Sequence, residues 1–335
     1  MNEVTIKDIA KALEVSPSTV SRALSDHPDI SDTTKELVIE KAASLNYNPN
    51  IVAQNLKSNK TKLIGVIVPE IEHSFFASAI SGIEEVAYQS GYIIVVCNSE
   101  ESYEREVVNT NALVSNRVAG LIVSISQNTT DSDHLKAVMN RNIPLVLFDR
   151  VVEDLNTSKV IIDDKTSAYK AVTYLIGKGY KKIAHLAGKQ EINICRLRLE
   201  GYCKALQDNH LPVNENYISH GGLHEKDGYN SVAQMIKDNN IPDAIFAVND
   251  PVAMGAFKKL KEDGFSIPEE VAIVGFSNNP ITELIEPKLT TVDQPANKMG
   301  KKAAELIINQ IESKESTIKF TTEILDTELI VRESA

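Results

Sequence analysis

The chain has few cysteines and no long apolar run, and each absence excludes a class of protein. Its three cysteines, Cys97, Cys195 and Cys203, are an odd number without paired metal spacing, so we expect neither disulfides nor a zinc site. No apolar run approaches the roughly 18 residues of a membrane-spanning helix. The N-terminus lacks the basic start, apolar run and cleavage site of a signal peptide, so we expect a cytoplasmic protein.

Sequence signatures of catalysis are also missing. The segment His220-Gly221-Gly222-Leu223-His224 has the loop-like spacing His-x3-His, without the helix or glutamate of a metalloprotease site. Its glycine pair is isolated and does not form a phosphate-binding loop of the Walker or dinucleotide type. The cysteines have no sequence signature of a base partner. We therefore expect a protein that is not an enzyme and that needs no metal or cofactor.

The N-terminal residues contain the start signals of two consecutive helices. Thr5 followed by Asp8 predicts a capping box, and the apolar positions after it recur at helical spacing. Ser16 as N-cap and Pro17 at the first helical position predict a second helix, with Val20 and Leu24 facing inward. Two short helices joined by a tight turn form a helix-turn-helix, whose second helix is sized to enter a DNA major groove.

A third helix and a short marginal segment follow. Ser31 caps the third helix, and the residue before Pro49 is biased out of helical geometry. We predict one apolar stripe on this helix, made of Leu37, Val38, Ala42 and Leu45. Residues 50–58 form an N-capped segment of about two turns, which is too short to hold a helix alone in water. Another molecule must therefore order it.

These segments resemble the headpiece and hinge of the lactose-repressor (LacI) family of bacterial transcription regulators. The motifs that carry the resemblance are Val4-Thr5-Ile6-Lys7-Asp8-Ile9-Ala10, Val15-Ser16, Thr19-Val20-Ser21-Arg22, Leu45-Asn46-Tyr47 and Val52-Ala53-Gln54 with Leu56. The match continues into Leu63-Ile64-Gly65-Val66 and over nearly the whole chain. The resemblance implies that two hinge segments of a dimer fold on the operator and insert a leucine pair into its minor groove. Leu56 occupies that leucine position.

The resemblance also assigns the DNA contacts. Pro17, Ser18 and Arg22 match the positions that set operator specificity, and a bidentate contact from Arg22 to guanine is worth about 1–3 kcal/mol of discrimination. Phosphate-contact or helix-capping positions are Thr5, Ser16, Thr19, Ser21, Ser31, Thr34, Tyr47 and Asn50. The hinge contacts are Ala53, Gln54, Leu56 and Lys57. For any single hydroxyl, plain helix capping explains the residue as well as DNA contact does.

Charge is distributed unevenly along the chain, whose formal net charge is −11. Residues 1–62 carry eight basic and eight acidic side chains, so the net negative charge lies in residues 63–335. An acidic body repels DNA, and lysines 57, 60 and 62 must offset it locally. We therefore expect a single headpiece to bind weakly, with useful affinity coming from two tethered copies on one operator.

The rest of the chain alternates apolar runs of strand length with helical patterns. We predict strands at 63–69, 92–98, 120–126 and 144–150 with helices at 75–89, 103–115 and 133–141. The pattern repeats with strands at 160–163, 182–188, 217–220, 244–248 and 271–276 and helices at 167–178, 196–209, 226–238 and 252–263. Continuous Val/Ile/Leu runs separated by helices indicate parallel sheets buried on both faces. Two such units in series predict two lobes that face each other across a cleft.

By resemblance, this α/β body has the two-lobed type I periplasmic-binding-protein fold, made of two Rossmann-like parallel-sheet subdomains behind an all-α headpiece. The helix at 296–312 and the last strands near 324–331 should then return to the first lobe and afterwards to the second. We place the headpiece at 1–49 and the hinge helix and linker at 50–61. The first lobe takes 62–161 and 293–322, and the second takes 162–292 and 323–335.

Ligands of open α/β sheets bind beyond the carboxyl ends of the strands, where this chain carries polar and aromatic residues. Such a set suits a small polar metabolite, for which we favour a sugar or sugar derivative. The effector-contact positions, most of them assigned by resemblance, are Ser74, Phe75, Ser124, Asp149, Arg198, Leu223, Asn249, Ser277 and Gln294. Two of them depart from relatives: Ser277 replaces the aspartate of sugar-responsive members, and Leu223 replaces a tryptophan or phenylalanine.

Two other functions explain parts of the sequence. A transporter's solute receptor needs only residues 60–335, but the headpiece and the missing signal peptide argue against it. A regulator that answers to a protein co-repressor would use a surface anion patch, for which Arg105, Lys301 and Lys302 are candidates. The C-terminus has no leucine-heptad tail, so we predict a homodimer and not a coiled-coil tetramer. Whether the effector induces or co-represses is left open.

Overall fold

The computed structural model describes residues 4–47, 61–313 and 319–335, which fall into two compact units. The first unit ends at Thr61 and the second begins at Lys62. Among the described residues, no helix is both long and apolar enough to cross a membrane.

The first unit contains three helices in its described part, α1 (Ile6–Ala12), α2 (Pro17–Leu24) and α3 (Asp32–Ser44). The Asp8 carboxylate accepts from the Thr5 backbone N–H at 2.8 Å and from its hydroxyl at 2.7 Å. Ser16 Oγ accepts from the Thr19 N–H at 3.1 Å, with Pro17 in the first turn. The predicted start signals of α1 and α2 are thus confirmed.

The core of this unit lies between the three helices and excludes one residue that we had placed in it. The buried apolar side chains are Ile9, Ala10, Val20, Ala23, Val38 and Ala42. Leu37 is 55% exposed, so its predicted inward orientation is wrong. Val38 and Ala42, four residues apart, already form the inner face of α3, and Leu37 lies about 100° around the helix from Val38.

The second unit alternates strands and helices. Its strands are β1 (Leu63–Val68), β2 (Ile93–Asn98), β3 (Gly120–Val123), β4 (Leu145–Phe148), β5 (Ser158–Ile162), β6 (Ile183–Leu186), β7 (Ile218–Ser219), β8 (Ala244–Ala247), β9 (Ala272–Ser277), β10 (Thr290–Asp293), β11 (Thr322–Leu325) and β12 (Glu328–Ile330). Its helices are α4 (Ser74–Gln89), α5 (Tyr103–Ser115), α6 (Asp133–Asn140), α7 (Asp164–Gly177), α8 (Asn193–Asp208), α9 (Glu225–Lys237), α10 (Asp250–Glu262) and α11 (Ala296–Glu312).

The strands form two sheets, one in each lobe. The first has the order β11-β5-β4-β3-β1-β2 and the second β12-β10-β9-β8-β6-β7. The described strand pairs are parallel except for β10 with β12. The chain returns to the first lobe with α11 and β11 and then to the second with β12, as predicted.

One predicted boundary is wrong. Thr322 pairs with Lys159 and Leu325 with Ile162, so residues 323–325 belong to the first sheet and not to the second lobe. The chain pairs with the second sheet only from Glu328. A short strand at a sheet edge carries no local signal of which sheet it joins, because either edge offers the same backbone partners.

In each lobe a pair of helices approaches closely at glycines. A Cβ added to Gly82 would lie 2.2 Å from Asn297 O, and one added to Gly300 would lie 2.0 Å from Ala79 O, where α4 meets α11. Gly228 and Gly255 allow the same close backbone approach between α9 and α10. Such backbone contact excludes any larger residue and sets the spacing of each helix pair on its sheet.

Candidate functional site

The start of α2 presents small hydroxyl side chains that bond to one another. Ser16 Oγ lies 2.7 Å from Ser18 Oγ and 2.8 Å from Thr19 Oγ1. Ser31 makes the matching arrangement at α3, where its hydroxyl accepts from the Thr34 N–H at 3.4 Å. Of these predicted contact residues, Ser16 and Ser31 are helix caps. Both are exposed, so capping does not prevent a phosphate contact.

Arg22 is the cation that α2 offers to a partner. Its side chain is 56% exposed, and Nη1 is 4.0 Å from a carboxylate oxygen of Asp29, which is itself 65% exposed. An exposed pair at that distance holds the arginine weakly. Tyr47 is partly buried against the headpiece core, and burial raises the pKa of its hydroxyl. The predicted contacts Asn50, Ala53, Gln54, Leu56 and Lys57 lie outside the described residues.

A small cavity of about 20 Å³, here called the inner cavity, lies beyond the carboxyl ends of the strands. Its lining residues are His73, Phe75, Phe76, Asp149, Arg150, Ile194, Arg198, Leu223, Asn249, Ser277 and Gln294. Seven of the nine predicted effector positions are among them. Ser74, the first residue of α4, and Ser124, which directly follows β3 and is fully buried, are not.

Four lining residues were not among the nine predicted contact positions, although three of them belong to the polar and aromatic residues noted after the strands. His73, Phe76 and Arg150 follow strands β1 and β4, so their position in the sequence was a signal. Ile194, near the start of α8, is apolar and resembles any core residue, so the sequence contains no signal for it. Arg196 lies outside the inner cavity and pairs with Glu153 and Glu200 at 2.6 and 3.1 Å.

Arg198 is fixed by the second lobe. It is 1% exposed, donates from Nε to Asp164 Oδ1 at 2.8 Å and from Nη1 to the Val248 carbonyl at 2.5 Å. Its guanidinium carbon lies 3.6 Å from the centre of the Phe276 ring. Nη2, although 2.7 Å from the same Asp164 oxygen, makes no regular hydrogen bond to a described residue. Arg198 thus keeps one donor atom for a ligand.

Arg150 belongs to the first lobe and is held by fewer bonds. It is 5% exposed and donates from Nη1 to Glu101 Oε1 at 2.7 Å. Its Nε is buried without a hydrogen-bond partner among the described residues. A buried donor without an acceptor is costly, so a ligand oxygen that accepts from Nε would be stabilised.

Asp149, Gln294 and Ser277 join the two lobes across the inner cavity. Gln294 Nε2 donates to Asp149 Oδ1 at 2.7 Å, and Ser277 Oγ is 3.4 Å from Gln294 Oε1. Burial raises the pKa of Asp149, against the opposing charges of Arg150 and Arg198. Ser277 has φ of 113°, in the region that favours glycine, so its backbone is strained at the cavity wall.

Apolar side chains complete the inner cavity. The rings of Phe75 and Phe76 meet edge to face with centroids 5.2 Å apart. Ile194 and Leu223 contribute aliphatic surface from the second lobe. Burial lowers the pKa of His73 to about 4, so its imidazole is neutral at pH 7. The cavity therefore combines hydrogen-bonding groups with apolar walls, as small-molecule sites do.

Further contacts cross the cleft around this cavity. Lys189 Nζ donates to Asn128 Oδ1 at 2.6 Å, and the Val151 N–H donates to Asn193 Oδ1 at 3.1 Å. These bonds hold the lobes against each other.

The three candidate cations of a surface anion patch each have an acidic partner. Lys301 is 2.9 Å from Glu85, Lys302 is 2.6 Å from Glu305, and Arg105 pairs with Glu100. Among the described residues, no group of three or more His, Cys, Asp or Glu side chains is placed to hold a metal ion.

Comparison with known proteins accounts for both units. Residues 5–50 match the sequence model of bacterial regulatory proteins of the lacI family, and residues 61–328 match that of periplasmic binding proteins and the sugar-binding domain of the LacI family. The HTH-type transcriptional repressor PurR of Vibrio cholerae is 34% identical over 312 residues, which are 93% of this chain and 92% of that protein.

Solved structures agree with these sequence matches. The Lac repressor dimer bound to operator and the anti-inducer ONPF superposes with a TM-score of 0.88 at 26% identity, covering 99% of both chains. The complex of the transcriptional regulator CelR with cellobiose gives 0.76 at 26% identity, covering 99% of this chain and 100% of that one. The chain therefore belongs to the LacI family of bacterial regulatory proteins and is a DNA-binding repressor controlled by a small-molecule effector.

Proposed function

We propose that two copies of this chain bind a pseudo-palindromic operator in the cytoplasm, with Pro17, Ser18 and Arg22 of each α2 at the base edges. The observation that carries this assignment is the exposure of Arg22 on the helix that helix-turn-helix proteins insert into the major groove. The superposition on the operator-bound Lac repressor dimer supports it.

Selection of genomic DNA fragments on the full-length protein identifies the operator. Arg22→Lys keeps the charge but loses the planar guanidinium that makes two parallel hydrogen bonds. It should weaken operator binding by about 1–3 kcal/mol and relax the base preference at one base pair. Lys11→Ala, an exposed charge change on α1, is the control and should leave base preference unchanged. Unchanged preference in Arg22→Lys would remove Arg22 from the base-reading set.

The hinge proposal rests on the sequence of residues 50–58 and on family membership. Leu56 should act as the minor-groove wedge when two hinges meet on DNA. Leu56→Ala should weaken operator binding by more than about tenfold and leave effector affinity intact. Equal operator affinity in a mobility-shift titration would contradict the wedge.

The charges around the inner cavity favour a neutral effector. Arg150 pairs with Glu101 and Arg198 with Asp164, so both cations are already balanced. Asp149 adds no positive charge, so a ligand anion would meet no spare cation among these groups. A hydroxyl can accept from a guanidinium N–H and also donate to a carboxylate. A polyhydroxylated ligand, a sugar or uncharged sugar derivative, fits these groups best.

The apolar walls support the same class. Phe75, Ile194 and Leu223 can cover the C–H face of a sugar ring. A thermal-shift panel of neutral sugars, sugar acids, phosphosugars, nucleosides and purines tests this, because a ligand at 100 times its Kd stabilises the fold by about 2.7 kcal/mol. Hits confined to anionic or planar compounds would overturn the sugar assignment.

We propose that the effector acts by setting the closure of the lobes. Each first lobe leads into a hinge, so closure changes whether two hinges of a dimer can meet. The effector shifts this equilibrium only through its different affinity for the two arrangements. Measuring operator affinity at increasing concentrations of the identified sugar shows whether the sugar is an inducer or a co-repressor. An inducer weakens operator binding, and a co-repressor strengthens it.

The exposed apolar surface supports a homodimer. Ile93 and Val95 alternate on the edge strand β2 with 61% and 37% exposure, and Leu284 in the second lobe is 81% exposed. Exposed apolar residues on one face of an edge strand favour association with another chain. Val95→Asp should therefore yield monomers by light scattering, and a tetrameric mass for the unmodified protein would contradict the dimer.

A further inference from the structure

One histidine of the second lobe touches two segments of the first lobe. His224 directly precedes α9, and its Nδ1 lies 3.5 Å from Oε1 of Glu70, which follows β1. Its Nε2 lies 3.4 Å from Nε2 of Gln127, which follows β3. The side chains of His224 and Glu70 are 34% and 31% exposed, so water screens the pair only in part. Both ring nitrogens of His224 therefore face groups of the other lobe.

The charged groups that face His224 are mostly acidic. They are Glu70, Glu72 and His73 after β1, Glu101 after β2, Arg150 after β4, and Asp227 in α9. Arg150 is balanced by Glu101 at 2.7 Å, and burial lowers the pKa of His73 to about 4, so His73 is neutral at pH 7. The first-lobe charges left to act on His224 are thus the carboxylates of Glu70 and Glu72. A protonated imidazole at this position is attracted to the first lobe.

Gln127 can bond to His224 in either protonation state. Its side chain is nearly buried, and its Oε1 has no hydrogen-bond partner in the described part of the chain. The amide N–H can donate to Nε2 of a neutral ring. After a half-turn of the amide, Oε1 can accept from Nε2 of a protonated ring. Gln127 therefore does not oppose protonation of His224.

We propose that His224 is a pH-sensitive latch, whose protonation holds the two lobes together through Glu70. Opening of the cleft separates an imidazolium from a carboxylate of the other lobe, which costs Coulomb energy that a neutral ring does not contribute. Histidine is the side chain that ordinarily changes its charge between about pH 5 and 8. The attraction is therefore present in mildly acidic solution and is lost as the pH rises.

Glu70 sets the acidic limit of the latch. Burial raises the pKa of Glu70, against the opposing positive charge of His224. In more acidic solution Glu70 binds a proton, and the pair loses its negative charge. The closed arrangement should therefore be most populated at mildly acidic pH and less populated on either side. Under the proposed closure mechanism, on which this consequence rests, operator affinity changes with pH in the same window.

The distance between the lobes of the full-length protein tests the latch without operator or effector. Thr130→Cys and Glu191→Cys place spin labels on exposed residues of the first and second lobe. Cys97→Ser and Cys203→Ser remove the partly exposed native thiols, while Cys195 is buried. Dilution with unlabelled protein suppresses distances between copies. Pulsed electron spin resonance should show a ratio of closed to open molecules about two- to fivefold higher at about pH 6 than at about pH 8.

Two variants each remove one partner of the latch. His224→Gln keeps a polar side chain without charge, and Glu70→Gln keeps the shape of the acid, so each should abolish the pH response. His220→Gln, at an exposed histidine of the second lobe, is the matched control and should keep it. Equal ratios at the two pH values in the labelled protein, or a response that survives either substitution, would overturn the latch. If His224→Gln does not fold, Glu70→Gln makes the same test from the first lobe.

A sugar that binds in the thermal-shift panel, added to the same labelled protein, separates this proposal from the closure mechanism. A pH response together with a bound sugar that leaves the lobe distance unchanged would support the latch and contradict closure by effector. A sugar that changes the lobe distance in a protein without any pH response would support closure by effector and overturn the latch.

Discussion

The two lobes each bring a buried arginine to the inner cavity, but they hold it differently. In the second lobe, Arg198 bonds to Asp164 and to the Val248 carbonyl and stacks on Phe276. In the first lobe, Arg150 has one described hydrogen bond, to Glu101, and a buried Nε without a partner. The second lobe thus supplies a rigid frame, and each lobe leaves one arginine donor for a ligand, Nη2 of Arg198 and Nε of Arg150.

The same contrast extends to the backbone. Ser277 is held at its strained φ by buried groups behind it: Asp250 accepts from the Asn279 N–H and the Thr291 hydroxyl, each at 2.7 Å. Arg332, near the C-terminus, donates to the Asn278 side chain at 2.9 Å. The cavity wall of the second lobe is therefore determined by residues that do not touch the ligand.

The largest effect expected is from Arg198→Met. It leaves Asp164 and a carbonyl buried without their partner, and breaking such a pair costs about 3–5 kcal/mol. Urea unfolding at pH 7 measures the loss. If Arg198→Met proves no more destabilising than the same change at Arg150, the rigid-frame interpretation of the second lobe is wrong.

Arg150→Met should cost less stability, about 1–3 kcal/mol, because Glu101 keeps its bond from the Gln127 N–H. The affinity of the Arg150→Met variant for the sugar found by the thermal-shift panel should fall by more than about tenfold. Calorimetric titration provides the measurement. Full affinity in this variant would show that the free Nε does not meet the ligand.

A pH-dependent difference is expected at Asp250. Burial raises the pKa of Asp250 to about 6, above its ordinary value of 3.8. The folded state then binds the proton more tightly, so this contribution to stability is complete below pH 4 and is lost as the pH rises to about 6. Relative to Asp250→Asn, the unmodified protein should lose up to about 1.4 kcal/mol per pH unit across that range. Parallel stability curves for the two proteins would contradict the raised pKa.

The smallest effect expected is from Ser277→Gly. Glycine adopts the φ of 113° without strain, so the substitution should raise the free energy of unfolding by up to about 1 kcal/mol, after the entropy cost of glycine. Asn239→Gly is the control. Asparagine tolerates the φ of 52° found at this position, so this substitution should change the free energy of unfolding little. A loss of stability in Ser277→Gly would mean that its hydroxyl contact to Gln294 outweighs the strain.

Much of the architecture follows from local sequence. Thr5, Ser16 and Ser31 mark helix starts because their side chains can satisfy free N–H groups, and the apolar runs of the body indicate buried parallel strands. Several helices of the second unit begin earlier than predicted. Helix α10, predicted from residue 252, begins at Asp250, because the Asn249 side chain caps it by accepting from the Val252 N–H at 2.9 Å. Periodicity locates the apolar part of a helix, while its first turn is polar and depends on the cap.

The sequence by itself determined the order of helices and strands, the helix-turn-helix and most of the polar residues at the strand ends, because caps and hydrophobic periods are local properties. Tertiary structure decided that 322–325 joins the first sheet, that Leu37 faces outward and that Ile194 lines the cavity. It also decided that Arg150 Nε and Arg198 Nη2 lack a regular hydrogen bond to a described residue. These features depend on contacts between segments that are far apart in the chain, and the local sequence of one segment does not determine which other segment it will contact.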